Sequence, residues 1–490
     1  MGKALLNWRW RTFILALPFL FYCLFPTRNY YWDGLAFAID IEKHPLSSAL
    51  LYPSHLIYES FGGWLYRLSE IAGMHTRALY LMQGANCVLA GLSVFLLDKC
   101  LRLRNVPADI AVAWALVFGF SATWWRFASD ANAYVPAIFL LLCAEILLES
   151  NRVTAAAVLT ACAMLFHELA VLFLLVALIR LFPKTKTALL FLAIAVVPVA
   201  LAYVIAYHAG PGGAPGNGFF AWVTWHSPDS SFSFRPLNDV IVSLRGTLRL
   251  FFGGRLAEFA GDAVSKVSVA VLAAAIAAFF VALWQAIRKR ELRAIAPSRY
   301  LLAWIGVYVI FLLFWMPQNT FYRLFYLAPL VLLLATALHP GLRLVWTFAA
   351  VLALWNFTFL SYPQSRPEAN APLRFALARV QDWSPGTPIV FRTFHPDLWT
   401  ISYFNQQASW IGLDHPDPNR LQQLLDQASA GGRSLWIEET AYLAAQADPA
   451  ARNWMTLHEL PKELIEFKDD RHDFRFHRFG SAQATGRESN

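Results

Sequence analysis

Asp33 stands just past the first long apolar run, 13–25, in Tyr30-Tyr31-Trp32-Asp33-Gly34, and Asp130 closes Trp124-Trp125-Arg126-Phe127-Ala128-Ser129-Asp130 after the third. His167-Glu168 interrupts the apolar stretch 154–181, Tyr322-Arg323 closes a polar turn opened by Gln318-Asn319, and His55 lies between the first and second runs. Charges at a bilayer edge are costly unless paired, so one shared polar pocket is more economical than several solitary sites. Ion transport would set its charges at mid-span. Here the middles of the runs are nearly free of acids, Glu145 lying only near an inner end, so an enzyme working at the outer leaflet fits better. Each residue also has a plainer reading. Asp33 could be an interfacial residue of an aromatic belt, Asp130 the N-cap of the following helix, and Arg126 or Arg323 a headgroup anchor. His167-Glu168 could be a simple turn, and a lone histidine such as His55 is usually not a ligand.

Hydrophobic residues fill 58% of the 490 positions and 15% are charged, against roughly 45–50% and about 25% in soluble domains. That composition predicts an α-helical polytopic membrane protein. The formal charge of +8 gathers between apolar runs: Lys3, Arg9 and Arg11; Lys99, Arg102 and Arg104; Arg180, Lys184 and Lys186; Arg288-Lys289-Arg290 with Arg293 and Arg299. Placing these clusters in the cytoplasm gives about eleven spans, a cytoplasmic N-terminus and an external C-terminus. It also puts Asp33, Arg126, Asp130, His167, Glu168 and Arg323 on one outer face. A bacterial inner membrane is the expected setting. No nucleic-acid motif occurs. The five cysteines lie in or beside apolar runs without Cys-x-x-Cys spacing, which suggests neither disulfides nor a thiolate metal site. Lacking a small-residue cleavage site, the first run reads as a retained span.

The elements that must position these residues divide at about 361. Residues 1–361 form the membrane part, with a first outer loop, 27–76, whose Leu46, Leu50, Ile57, Phe61, Trp64 and Leu68 recur at helical spacing and predict one or two amphipathic interfacial helices. A second outer loop, 208–264, is Gly/Pro-rich at its start and carries Trp222, Trp225 and His226; its tryptophans could stack on sugar or belong to the belt. Residues 362–479 read as a small extracytoplasmic α/β domain, with strands at 388–391, 410–413 and 434–437 and helices at 421–430 and 442–447. Residues 480–490 read as a disordered tail.

An Asp soon after the first span, a long amphipathic first outer loop with His55 in Tyr52-Pro53-Ser54-His55-Leu56-Ile57-Tyr58, a second acid after the third span and an external C-terminal domain resemble the C-type (GT-C) glycosyltransferases. That family includes the protein O-mannosyltransferases and the aminoarabinose transferase of lipid A. The resemblance covers the chain to about residue 360. It departs at Gly34, where many relatives continue an acidic pair, and at Ser54, where relatives have a second histidine. It implies transfer of a sugar, with inversion, from a polyprenyl-phosphate donor to a protein, lipid or glycan acceptor. Asp33 would be the general base or the electrostatic partner of the acceptor, and Asp130 a second acid orienting acceptor or metal. Arg126 and Arg323, with Tyr322 and His167, would face the donor phosphate, and His55 and Glu168 would contact substrate or a divalent metal. The rival readings are a transporter or flippase for lipid-linked saccharide and an O-antigen polymerase- or ligase-like enzyme. A transporter predicts broken helices in paired halves, and the sequence shows no such repeat.

Overall fold

A computed structural model of the chain describes residues 8–182, 184–210, 218–224, 235–254, 299–337, 342–379, 382–393, 396–468 and 473–480, with isolated positions between 270 and 284. The expected span at 267–287, the basic cluster at 288–293, Trp225, His226 and residues 481–490 lie outside the described residues. The chain divides into two compact units, Met1–Thr27 with Phe37–Ser365, and Arg28–Ala36 with Arg366–Asn490.

The first unit is helical. In order it contains α1 (Trp8–Leu24), α2 (Trp32–Lys43, entered from the other unit), α3 (Tyr58–Ile71), α4 (Ala78–Leu103), α5 (Ala108–Gly119), α6 (Ala122–Ala128), α7 (Tyr134–Glu149), α8 (Val153–Phe166), α9 (Leu172–Leu181), α10 (Thr185–His208), α11 (Phe219–Val223) and α12 (Pro236–Phe251). Helices Arg299–Phe314, Leu324–Ala337 and Leu342–Asn356 complete it. α4 packs against α1, α5 and α7, and α8 against α7 and α10. Of the residues expected to form amphipathic helices in the first loop, Phe61, Trp64 and Leu68 lie in α3, while Leu46, Leu50 and Ile57 lie in the turns that precede it. Among the described residues, Ala78–Leu103, Thr185–His208 and Leu342–Gln364 are long and apolar enough to cross a membrane, and α5 with α6 would make a fourth if counted as one bent span.

Two breaks shape one end of the helical unit. At the first, α5 and α6 meet at 68°, so Arg126 rides on a short helix. A break frees carbonyls that apolar surroundings cannot solvate. Here Tyr22 OH donates to Gly119 O at 2.5 Å and Asn356 Nδ2 to Phe120 O at 2.8 Å. At the second, the long apolar stretch stops at Phe166 as its excess length predicted. His167 is extended, and a 3-10 turn, Glu168–Val171, leads into α9.

The second unit is built on a five-stranded mixed sheet in the order β2-β1-β3-β5-β4. β1 (Pro388–Phe391) runs parallel to β2 (Ser409–Gly412) and β3 (Leu435–Glu438), while β5 (Asp473–Phe479) is antiparallel to β3 and to β4 (Glu459–Lys468). Alternate residues of β1 and β3 face two cores: Val390, Leu435 and Ile437 join Leu421, Leu425 and Met455, and Ile389, Phe391 and Trp436 join Trp383, Leu398 and Phe476. Helices on both faces explain why these strands are apolar throughout and legible as short runs. Helix Pro418–Ala430 begins where Asp417 accepts from the Asn419 and Arg420 amides, with proline at its first position. The two C-terminal strands were not read from the sequence. The signal in β5 is alternation: Phe474 and Phe476 are buried, while Asp473 is exposed and Arg475 half-buried.

Candidate functional site

Asp130 and Arg126 are fixed by the short helix α6 and by two amides of α4. Gln83 Nε2 donates to the Thr27 and Ser129 carbonyls (3.0 and 3.1 Å), and one turn later Asn86 Nδ2 donates to the carbonyls of Asp130 and Asn132 (2.7 and 2.9 Å). Asp130 is fully buried, with Oδ1 accepting the Ala131 amide at 2.8 Å. It is not the N-cap of α7. That work falls to Asn132, whose Oδ1 accepts the Tyr134 and Val135 amides at 3.1 and 3.2 Å. Tyr58 of α3 lies near Asp130, and burial followed by that charge pushes its phenol well above the ordinary range. Arg126 is half-buried, its guanidinium carbon 5.9 Å from the Phe127 ring centroid. Gln83, Asn86, Asn132 and Tyr58 were missed in the sequence. Two amides one turn apart inside an apolar run were the available signal, because such groups are retained only where they find partners.

His167 follows the second break and is buried among rings. Its centroid lies 4.7 Å from Tyr134, 5.3 Å from Phe325 and 6.2 Å from Tyr322, and Tyr322 stacks on Trp315 at 5.1 Å. Nδ1 accepts the Leu169 amide at 3.2 Å, which leaves Nε2 to carry the proton of a neutral imidazole. Phe321 bridges to the first break, 5.5 Å from Tyr134 and 5.9 Å from Phe127. Thus His167, Tyr322 and the α6 segment bearing Arg126 converge at one end of the helical unit, although they are far apart in sequence.

Arg323 reaches the same end but is enclosed. It is 0% exposed, and Nη1 donates to Ser243 Oγ (2.9 Å) and Tyr326 OH (3.1 Å), while Nη2 donates to Pro317 O. Gly246 of α12 lies against the guanidinium, where an added Cβ would sit 2.3 Å from Nε. Arg323 thus forms a buried tie between α12, the 317–323 turn and helix Leu324–Ala337. The reason is that a large planar cation buried here must spend its N–H groups on protein oxygens.

His55 sits in a 3-10 turn, Pro53–His55, packed against the turn that follows His167. Its ring is stacked on Tyr52 and edge-on to Phe37, with Nε2 3.2 Å from Ser54 Oγ. Burial lowers its pKa to about 3, so it is neutral at ordinary pH. Glu168 opens the adjoining 3-10 turn and is half-buried. Asp33 lies in the first turn of α2, in the segment grouped with the C-terminal unit. That segment is held by Asn370 Nδ2 donating to Arg28 O at 2.8 Å and by Tyr30 stacked on Phe404 at 5.5 Å. Trp222 is fully buried against Tyr203, Tyr207 and Phe219, so it is core of its loop and has no face for a sugar. Among the described residues no three His, Cys, Asp or Glu side chains converge as a metal ion would require.

A helical unit followed by a small C-terminal mixed-sheet domain gives this chain a fold similar to that of ArnT. The crystal structure of ArnT from Cupriavidus metallidurans bound to undecaprenyl phosphate matches with a TM-score of 0.62 at 12% identity, covering 96% of this chain and 98% of that one. Its apo state matches with a TM-score of 0.60 at 14% identity over the same shares. At such identity the likeness establishes the fold. No family model matches the sequence, and no curated protein sequence does.

Proposed function

We propose that the chain is an inverting membrane glycosyltransferase that moves a sugar from a polyprenyl-phosphate carrier to an acceptor at the outer face of the membrane. The observation that carries this reading is the superposition of 96% of the chain on an ArnT structure that holds undecaprenyl phosphate. The gathering of Arg126, Asp130, His167 and Tyr322 at one end of the helical unit supports it. In the reaction Asp33 takes the acceptor hydroxyl proton, the acceptor oxygen attacks the anomeric carbon from the face opposite the phosphate, and the sugar–phosphate C–O bond breaks to release prenyl phosphate. Asp130 orients the acceptor. Arg126 neutralises the leaving phosphate, with Tyr322 and the Nε2–H of His167 as neutral donors beside it. Arg323 acts one layer behind, holding Ser243 and Tyr326. Glu168 and His55 contact the substrate, His55 as a neutral ring.

Purified full-length protein incubated with radiolabelled prenyl-phosphate sugars and membrane extracts should transfer label to an acceptor and release prenyl phosphate. Label that stays on every carrier, while lipid-linked saccharide crosses reconstituted vesicles, would support the transporter instead. For the orientation, a cysteine at exposed Ser384 should react with an impermeant thiol reagent in intact cells, and one at exposed Arg152 should not.

A further inference from the structure

α12 has two faces with different partners. Its inward face carries Asp239, Ser243, Gly246 and Leu250, all buried. Ser243 Oγ receives Arg323, Thr123 Oγ1 donates to Arg249 O at 3.0 Å, and Asn356 Nδ2 donates to Phe251 O at 2.7 Å. These bonds seat the helix at the end of the unit that carries Arg126 and Arg323. On the opposite face Leu237, Ile241, Leu244 and Leu248 are 77%, 55%, 62% and 59% exposed. Their spacing draws one apolar stripe along the whole helix. Arg245 and Arg249, also exposed, stand together beside that stripe. The only acid of the helix, Asp239, is turned inward, where it accepts the Arg235 amide.

A helix of 16 residues with two arginines and an acid in its sequence is too short and too polar to span a bilayer. An apolar stripe flanked by cations is instead the pattern of a helix lying in the interface plane. The same unit contains helices long enough to cross a membrane, so the stripe has a lipid phase within reach. Basic residues are scarce in the outer loops of membrane proteins. A pair of arginines at the end proposed to face outward therefore points to a negatively charged partner. Neutral lipid would serve the leucines equally well but would leave the arginines without a counter-charge.

We infer that α12 docks on anionic phospholipid, its leucine and isoleucine side chains entering the acyl region while Arg245 and Arg249 meet headgroup phosphates. The placement of this helix at the outer face rests on the proposed function, but the docking requires no sugar transfer. Because Ser243 and Gly246 bear on Arg323, a helix held by lipid also holds the packing around that arginine.

The full chain carrying p-benzoylphenylalanine at Leu244, and separately at Leu248, is placed in nanodiscs of equal phosphatidylglycerol and phosphatidylcholine, irradiated, and its adducts are identified by mass spectrometry. Both probes should yield lipid adducts with phosphatidylglycerol in excess, by roughly fivefold per arginine. The Arg245→Gln/Arg249→Gln variant should bring the two lipids to parity. Adducts joining two copies of the chain, absence of lipid adducts at both positions, or parity with the arginines in place would each overturn the inference. Anionic-lipid adducts on a protein that transfers no sugar would leave the docking standing and remove the proposed enzymatic function.

Discussion

At one end of the helical unit, opposite charges are matched side by side. Asp98 accepts Arg11 Nη2 on both oxygens at 2.5 and 2.6 Å and Arg102 Nε at 3.0 Å. Glu145, fully buried, is bound by Arg104, by Arg180 at 3.1 Å and by Tyr300 OH at 2.5 Å, and Glu149 pairs with both arginines. At the other end of the same helices, two buried groups rest on neutral partners: His167 on a backbone amide, and Arg323 on two hydroxyls and a carbonyl. A matched carboxylate–guanidinium network has satisfied its charge internally and fixes four helices. An end that holds imidazole and guanidinium on neutral dipoles is the end at which the proposed reaction would place the charged groups of its ligand. The difference separates a stabilising use of charge from a chemical one.

Substitutions at the proposed catalytic residues and in the ion-pair network should therefore fail in different assays. The largest effect is expected at Asp33: Asp33→Asn keeps size but cannot accept a proton, and turnover should fall by about 10²–10⁴, with donor binding and thermal stability retained. Asp130→Asn, compared on the same preparations, should also lower turnover. Normal transfer by Asp33→Asn would return that residue to an interfacial role.

The reverse pattern is expected at Glu145. Glu145→Ala leaves Glu149 as the remaining carboxylate partner of Arg104 and Arg180 and removes the buried pairs, which costs up to about 3–5 kcal/mol of stability, read as a lower denaturation temperature in detergent. The molecules that remain folded should keep their donor affinity. Loss of donor binding without destabilisation would dissolve the distinction between the ends.

A smaller loss is expected for Arg323→Lys. An ammonium cannot span Ser243, Tyr326 and Pro317 together, so α12 should loosen at a cost of about 1–3 kcal/mol. Protection of α12 amides from hydrogen exchange measures this directly. Unchanged protection combined with weakened donor binding would restore Arg323 to direct phosphate contact.

The smallest effect concerns His55 and acid. Its folded pKa, about 3, lies below the unfolded value, so below about pH 6.5 the unfolded chain binds the extra proton and stability falls as pH drops. His55→Gln should remove about 1 kcal/mol of that acid sensitivity for each pH unit below about 6.5, visible as a flatter dependence of denaturation temperature on pH. An unaltered profile would show that His55 is hydrated rather than held neutral.

Local sequence determined much of this molecule. Apolar runs longer than a fold core needs specified membrane helices, the 154–181 stretch announced its own break at His167, and the helical spacing of Phe61, Trp64 and Leu68 announced α3, because hydrophobic length and period are properties of neighbouring residues. Strands β1 and β3 were legible for the same reason. Tertiary structure alone decided that Asn132 rather than Asp130 caps α7, that α6 turns at 68° to carry Arg126, and that Tyr322 meets His167. It alone decided that Arg323 is enclosed by α12 and that the segment holding Asp33 belongs with a domain more than 300 residues further on. Each of these depends on which distant group reaches a given donor or carbonyl first. Such competition among remote partners leaves no periodic trace in the chain.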